Sequence, residues 1–210
     1  MEPISQDNPW GVVGNSRMVA TGHPLAAQAA ARMLREGGSA IDAAIAADAV
    51  LGVVEPMATG IGGDVLAMVV PPGEAPLSYN GTGRAPAQFS LDALDRLPGR
   101  RIPERHVFSV TVPGVVRGWH DLHSRFGRLP WAELIKPAVH YAQRGFTVAD
   151  NQYQYRADLL SQLEGKTNFA DYFGAMQAGK NFRQPELAAT LNRIAEHGPA
   201  DFYKGETAKL

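Results

Sequence analysis

Apolar residues recur along this chain with the period of a helix over some stretches and the period of a strand over others. The pattern predicts a first helix over Pro24–Arg35, which begins with a proline and ends before Gly37-Gly38. A second helix is predicted over Ala40–Val54, with Ser39 as its N-cap and Asp42 completing a capping box. Because this second helix carries almost only small and apolar side chains, we expect neighbours to bury it on several sides.

A short β-hairpin is predicted after the second helix. Val65–Val70 has the length and β-branched content of a strand, and Leu77–Asn80 can return as its antiparallel partner. Pro137 should kink or split one of the later helices. Those later helices are predicted at Val115–Phe126, Trp131–Arg144, Asn151–Leu163 and Pro185–His197. Helices around a short hairpin favour an α/β layered fold.

Composition narrows the classes of function. The chain has 210 residues, of which 45% are hydrophobic and 20% charged, as is typical of a globular domain with a core. Twenty Lys and Arg residues face 21 Asp and Glu residues, so a net charge of −1 gives no reason to expect nucleic acid or an anionic membrane as partner. The absence of cysteine excludes disulfides, thiolate nucleophiles and Cys-ligated zinc.

The two ends of the chain suggest where the protein resides and how it continues. From Met1 to Gly22 no basic segment precedes an apolar one, and no apolar run approaches the ~18 residues of a membrane-spanning helix. If Met1 is the true start, we expect a cytoplasmic protein. A helix-like stretch from Asp201 reaches Leu210 without glycine, proline or a polar cap, so we expect the fold to continue beyond this chain.

Two clusters of residues invite a chemical interpretation. Gly60–Asp64 is glycine-rich, but it follows a helix and precedes a strand, the reverse of the order in a dinucleotide-binding motif. It is interpreted as a tight packing turn or as a loop that lines an active site.

His120 and His123 lie three apart, but zinc needs a third protein ligand, so a solvated helix face is favoured and no metal or cofactor is expected. No G-x-S-x-G elbow is present, so the residues alone reveal no active site.

Several motifs, in order along nearly the whole chain, resemble the γ-glutamyltranspeptidase family. The family pattern GG-(N/S)-A-(I/V)-D-A-A, GVVEP and (S/T)-GIGG corresponds to Gly37–Ala44, Gly52–Pro56 and Thr59–Gly63. Further similar stretches lie at Ser109–Val115, Phe126–Trp131, Gln184–Leu191 and Asp201–Gly205. Independent motifs rarely fall in the right order by chance, so the resemblance is a strong one.

The resemblance implies an N-terminal-nucleophile hydrolase fold, an α/β sandwich with αββα layers. Residues 1–210 would form the N-terminal part of its large subunit. It also implies a precursor that cleaves itself, with the nucleophilic threonine and the oxyanion donors in the small subunit. No catalytic residue is therefore expected in this chain. The expected partners are the small subunit of the same precursor and a small-molecule amide.

The segment Asn80–Pro86 departs from the family at a position that binds substrate. Typical members read D-G-R-E-x-A-P there, and the resemblance gives their arginine the role of holding the α-carboxylate of the γ-glutamyl group. Aligned on the final Ala-Pro, that arginine is Thr82 here and the following glutamate is Gly83. Arg84 lies two positions beyond Thr82, on the same face of a strand, so it either substitutes for the missing arginine or is an outward-facing structural residue.

This variant segment, together with Asp64 after Gly63, resembles the transpeptidase-like branch of the family. That branch includes acylases and small-amide hydrolases such as oxamate amidohydrolase. The candidate substrate-binding residues are Thr82 and Arg84. The resemblance favours an autoprocessed N-terminal-threonine hydrolase of a small amide over a γ-glutamyltransferase or glutathione hydrolase. A non-catalytic piece or binding module derived from the fold is the alternative from another class.

Overall fold

The computed structural model describes residue 14 and residues 16–103, 106–165 and 167–210. Helices dominate this part of the chain, together with one antiparallel β-hairpin and one short antiparallel pair of strands that are distant in sequence. The described helices are α1 (Pro24–Arg35), α2 (Ala40–Val54), α3 (Leu91–Asp95), α4 (Val115–Phe126), α5 (Trp131–Arg144), α6 (Asp150–Leu163), α7 (Phe169–Phe173), α8 (Pro185–His197) and α9 (Pro199–Lys204). The described strands are β1 (Val65–Val69), β2 (Leu77–Gly81), β3 (Phe146–Thr147) and β4 (Asn181–Phe182).

The capping box predicted for α2 is confirmed. The Ser39 hydroxyl accepts the Asp42 N–H at 3.1 Å, and the Asp42 carboxylate accepts the Ser39 N–H at 2.7 Å. These two bonds satisfy backbone donors that the first turn of a helix leaves without an intrahelical partner. The sequence therefore sets the start of α2 by local chemistry alone.

Helix α2 forms the centre of the core. It packs against α1, α4 and α5, and its side chains Val50, Val53 and Val54 are fully buried. The expectation of burial on several sides is confirmed. The cover comes from helices of this same chain, and Ala44 marks the side that stays exposed.

The first hairpin has one packed face and one open face. β1 and β2 pair antiparallel, with Val65 opposite Gly81 and Val69 opposite Leu77. Gly118 of α4 lets the hairpin approach closely, because a Cβ at that position would lie 2.2 Å from Val65 Cγ1. On the opposite face, Leu66 and Met68 are 73% and 72% exposed. The packed face holds the hairpin against α4, and the outer face remains available for another part of the protein.

The later elements correct the sequence predictions in two places. Helix α5 runs unbroken from Trp131 to Arg144 although Pro137 lies inside it, so a split at Pro137 is wrong. Proline removes one backbone hydrogen bond, but α5 packs against both α2 and α8, and this tertiary packing outweighs the loss. The antiparallel pair of two-residue strands β3 and β4 and the five-residue helices α3 and α7 were not predicted, because such short elements carry almost no periodicity. No helix in the described ranges is long and apolar enough to cross a membrane.

Candidate functional site

Three segments that are distant in sequence meet at the end of the first hairpin. They are the turn Gly60–Asp64, the segment Gly81–Arg84 and the segment Thr111–Val115, which together are called the junction below. The carbonyl oxygen of Gly63 accepts the backbone N–H of Gly114 at 2.9 Å and that of Val115 at 3.0 Å. These two bonds hold the glycine-rich turn against the start of α4. The turn is therefore a packing turn that holds the start of α4.

The side chain of Asp64 ties the other two segments to this turn. Its Oδ1 atom accepts the Gly83 N–H at 2.8 Å and the Thr111 hydroxyl at 3.2 Å. A third contact joins those segments directly, since the Val112 N–H donates to the Arg84 carbonyl at 2.9 Å. A single carboxylate oxygen thus links all three parts of the junction.

Two glycines make this close packing possible. A Cβ on Gly83 would lie 1.6 Å from the Val112 carbonyl oxygen, and a Cβ on Gly114 would lie 2.0 Å from the Gly81 carbonyl oxygen. Neither distance is compatible with a side chain. The glutamate that typical family members carry in the segment has no room at position 83 of this backbone.

The structure leaves both Thr82 and Arg84 exposed. Strand β2 ends at Gly81, so the assumption of a continuing strand is wrong. The hydrogen bonds of the junction hold the segment at Gly83 against Thr111 and Val112, and its two neighbours both line the cleft described next. The binding role expected for Thr82 and Arg84 stays a prediction.

An open cleft of about 520 Å³ borders these residues. Its cationic lining residues are Arg84, Arg117 and Lys204, and no acidic residue lines it among those the structure describes. The Arg117 guanidinium pairs with Asp121 at 2.8 Å on an exposed helix face. This lining gives the cleft a net positive character, which suits a ligand with an anionic group.

Two tyrosines form the walls of this cleft. Tyr203 donates to the Pro113 carbonyl at 2.7 Å and accepts the Arg117 N–H at 3.2 Å, and burial raises its pKa. Tyr79 donates to Asp121 at 3.0 Å. Burial, helped by this hydrogen bond to a carboxylate, raises the pKa of Tyr79 to about 12. Both phenols therefore stay neutral at physiological pH and act as structural hydrogen-bond donors.

Comparison with known proteins decides the family. The Gamma-glutamyltranspeptidase family model matches residues 26–210. The chain belongs to the γ-glutamyltranspeptidase family. It is 44% identical to a glutathione hydrolase proenzyme of Pseudomonas aeruginosa, over 91% of this chain and 35% of that protein. It is 38% identical to an oxamate amidohydrolase proenzyme of Klebsiella pneumoniae, over 94% of this chain and 39% of that protein.

Solved structures agree with this assignment. The γ-glutamyltranspeptidase of Pseudomonas nitroreducens, complexed with L-DON, has a TM-score of 0.86 at 43% identity, covering 94% of this chain and 59% of that chain. The Helicobacter pylori γ-glutamyltranspeptidase has a TM-score of 0.84 at 28% identity, covering 94% and 60%. These matches confirm the expected N-terminal-nucleophile hydrolase fold, of which this chain forms a part. The chain spans 35–39% of the length of the two curated relatives named above.

The aspartate of the γ-glutamyltranspeptidase motif GG-x-A-x-D has a structural role in this chain. Asp42 is fully buried. Besides the N-cap bond to Ser39, its Oδ2 atom accepts the backbone N–H groups of Arg128 at 2.9 Å and Leu129 at 3.3 Å. The motif aspartate therefore joins the start of α2 to the connection between α4 and α5.

The histidine pair also serves packing. His123 was expected on a solvated helix face, and that expectation is wrong, because its side chain is only 18% exposed. Its Nε2 atom donates to the Leu129 carbonyl at 2.8 Å, and its ring lies 5.6 Å from that of Trp131. The His120 ring also lies near Trp131, at 5.7 Å. Within the described residues no cluster of His, Cys, Asp and Glu is suited to hold a metal ion.

Sequence reasoning missed one further acidic group. Asp48 lies on α2 at a second groove, of about 400 Å³, between that helix and the first hairpin. It accepts the Trp119 indole N–H at 2.8 Å, and burial raises its pKa. The sequence showed only that Asp48 is one of two charged residues in an otherwise apolar helix.

Proposed function

We propose that the protein containing this chain is an amide hydrolase of the γ-glutamyltranspeptidase family that cleaves small amides. The nucleophilic threonine would lie at the N-terminus of a small subunit released from the same precursor. Two relatives named as proenzymes, the glutathione hydrolase of P. aeruginosa and the oxamate amidohydrolase of K. pneumoniae, support such a cleavage. This chain would supply the core around α2 and one wall of the donor site.

The observation that carries the proposal is the structure of the segment Gly81–Arg84. Aligned on Ala85-Pro86, Thr82 would take the position of the family arginine. A Cβ on Gly83 would lie 1.6 Å from the Val112 carbonyl oxygen, so the family glutamate would have no room at position 83. A γ-glutamyl donor would therefore lose one charge-assisted contact to its α-carboxylate, worth about 1.5–3 kcal/mol. The carboxylate of a small amide such as oxamate is bonded to the amide carbonyl carbon itself, so this amide has no distant α-carboxylate and does not lose that contact.

The proposed reaction needs no group from this chain at the reacting atoms. The threonine hydroxyl attacks the amide carbonyl, and its proton passes to the free amine of the same threonine. Backbone donors of the small subunit stabilise the oxyanion. The tetrahedral intermediate collapses to an ester, the leaving amine takes up the proton, and water then hydrolyses the ester to release the acid. The large-subunit residues bind and orient the donor.

Glutathione hydrolysis is the second candidate. It is favoured by the 44% identity to the P. aeruginosa relative and by the position of Arg84, which is exposed and lines the same cationic cleft as Thr82. In that case Arg84 would hold the α-carboxylate from a position two residues further along the segment.

The test compares two donors on the mature protein. The complete precursor would be expressed and allowed to mature, and kcat/KM would be measured with oxamate and with glutathione. We expect the higher kcat/KM with oxamate, and a clear preference for glutathione would overturn the proposal. Residues 1–210 alone should release no product from either donor. A full precursor that neither matures nor turns over any amide would favour the non-catalytic alternative.

The cytoplasmic location expected from the N-terminus also stays a prediction.

A further inference from the structure

The carboxylate of Asp64 lies where the three segments of the junction meet. Both hydrogen bonds to its Oδ1 atom come from other segments, since Gly83 is 19 residues away and Thr111 is 47 residues away. Hydrogen bonds to an ionised carboxylate are roughly twice as strong as neutral ones. Asp64 is therefore well placed to fix the position of the segment that carries Thr82 and Arg84.

The hydrogen bond from Gly83 to Asp64 is particularly important because of the kind of residue at position 83. Glycine has the greatest backbone freedom of all residues, and it has no side chain through which its segment could be held. The Gly83 N–H is the group that Asp64 binds, at 2.8 Å. The typical family segment carries its own carboxylate at position 83, and here position 64 supplies a carboxylate from the neighbouring turn.

We propose that Asp64 is a positioning residue for the acyl donor. By holding the backbone of Gly83 against Val112, it sets the side to which Thr82 and Arg84 point. The inference rests on the proposed function only in taking these two residues as the donor-binding wall. It does not depend on which amide is the donor.

The experiment uses steady-state kinetics of the mature enzyme with Asp64→Ala and Asp64→Asn. Asp64→Ala removes both hydrogen bonds, so the KM of the donor should rise by roughly 10-fold while kcat changes less than about 3-fold. Asp64→Asn keeps a side-chain oxygen that can accept both bonds, and it should restore KM to within about 3-fold of the unmodified enzyme. If Asp64→Ala does not mature, Asp64→Ser carries the same test, because its shorter side chain reaches one donor at most.

Trp131→Phe is the matched control. It removes the hydrogen bond from the indole N–H to the Ile194 carbonyl, and Trp131 does not line the cleft or contact Gly83. It should lower the Tm and leave KM unchanged. If the Asp64→Ala and Asp64→Ser enzymes lose Tm in the same way but keep their KM, then Asp64 is only structural and the proposal is overturned.

The two proposals fail in different ways. Kinetics would be measured with both oxamate and glutathione. A preference for glutathione would overturn the small-amide function, whereas the Asp64 inference would still be tested by the change in KM of the preferred donor. An unchanged KM for the preferred donor in the Asp64→Ala enzyme would overturn the Asp64 inference alone.

Discussion

At the scale of single residues, Asp42 shows how much one buried carboxylate contributes to the stability of the fold. It is fully buried and accepts three backbone N–H groups, from Ser39, Arg128 and Leu129. Asp42→Ala would leave these donors without a partner in the interior, which typically costs about 1–3 kcal/mol for each unsatisfied group. We therefore expect a loss of several kcal/mol in the free energy of unfolding, measured by denaturant titration of the complete protein. The exposed Asp92→Ala should change it by less than about 0.5 kcal/mol, and equal effects of the two would contradict this role.

At the same scale, we predict that Thr82 and Arg84 influence the donor preference. Thr82→Arg would place a guanidinium beside the expected position of the α-carboxylate of a γ-glutamyl donor. It should raise kcat/KM for glutathione by about 10- to 100-fold, the worth of one charge-assisted contact. The gain should fall toward the lower value, because the junction leaves no room at Gly83 for an acidic neighbour that would orient the new guanidinium.

Arg84→Ala tests the opposing interpretation. If Arg84 is a structural residue, its removal should leave the ratio of kcat/KM between glutathione and oxamate within about 3-fold of the unmodified enzyme. If the unmodified enzyme prefers glutathione and loses that preference with Arg84→Ala, then Arg84 holds the α-carboxylate. The assignment to the small-amide branch would then lose its main support.

At the scale of elements, the contact between α2 and α4 contains a group that opposes stability at neutral pH. Burial raises the pKa of Asp48 above its ordinary value of 3.8. The folded state therefore binds the carboxyl proton of Asp48 more tightly than the unfolded state does. Protonated Asp48 favours the folded state at low pH, and this stability is lost as the pH rises through the raised pKa. Asp48→Asn stays neutral and can still accept the Trp119 N–H. We expect it to raise the Tm at neutral pH and to lose this advantage as the pH falls toward 3.8.

The control for this prediction is Asp158→Asn, which removes an exposed carboxylate from α6. Its Tm should follow that of the unmodified protein at every pH, because an exposed carboxyl is solvated in both states. A lower Tm of Asp48→Asn than of the unmodified protein at neutral pH would contradict the predicted sign.

At the scale of the whole molecule, this chain leaves an apolar surface without cover. The surface is the outer face of β1 and the residue beyond it, formed by Leu66, Met68 and Val70, all more than 60% exposed. Contiguous apolar surface of this kind usually marks an interface. Because the chain spans little more than a third of its curated relatives, we expect the rest of the protein to cover it. Residues 1–210 alone should therefore bind a hydrophobic dye or aggregate.

The substitution Leu66→Ser with Met68→Ser should reduce this dye binding strongly. Leu91→Ser is the matched control, because Leu91 is also 70% exposed but lies on the short helix α3, away from the hairpin. Fluorescence titration with the dye measures both variants. A monodisperse monomer of residues 1–210 that melts cooperatively and binds no dye would contradict the prediction.

The sequence by itself determined the ends of the main helices. Helices α1, α2, α4, α5 and α8 have the bounds predicted for them. Prolines, glycines and the capping box act within a few residues, so their effect can be recognised without knowing the fold. The sequence motifs also determined the family, and they pointed to Thr82 and Gly83 as the departure from its usual pattern, with Arg84 as the candidate substitute for the missing arginine.

Only the tertiary structure decided how the candidate site is assembled. The bonds from Gly83 and Thr111 to Asp64 join residues 19 and 47 positions apart, and nothing local in the sequence specifies such contacts. His123 is a mixed case, because Leu129 and Trp131, which contact its ring, follow closely in sequence, whereas Asp42 of α2 lies 3.9 Å from its Nε2 atom. Periodicity and capping describe one element at a time. The junction depends on the close approach of three backbones, which is decided when the hairpin packs against α4.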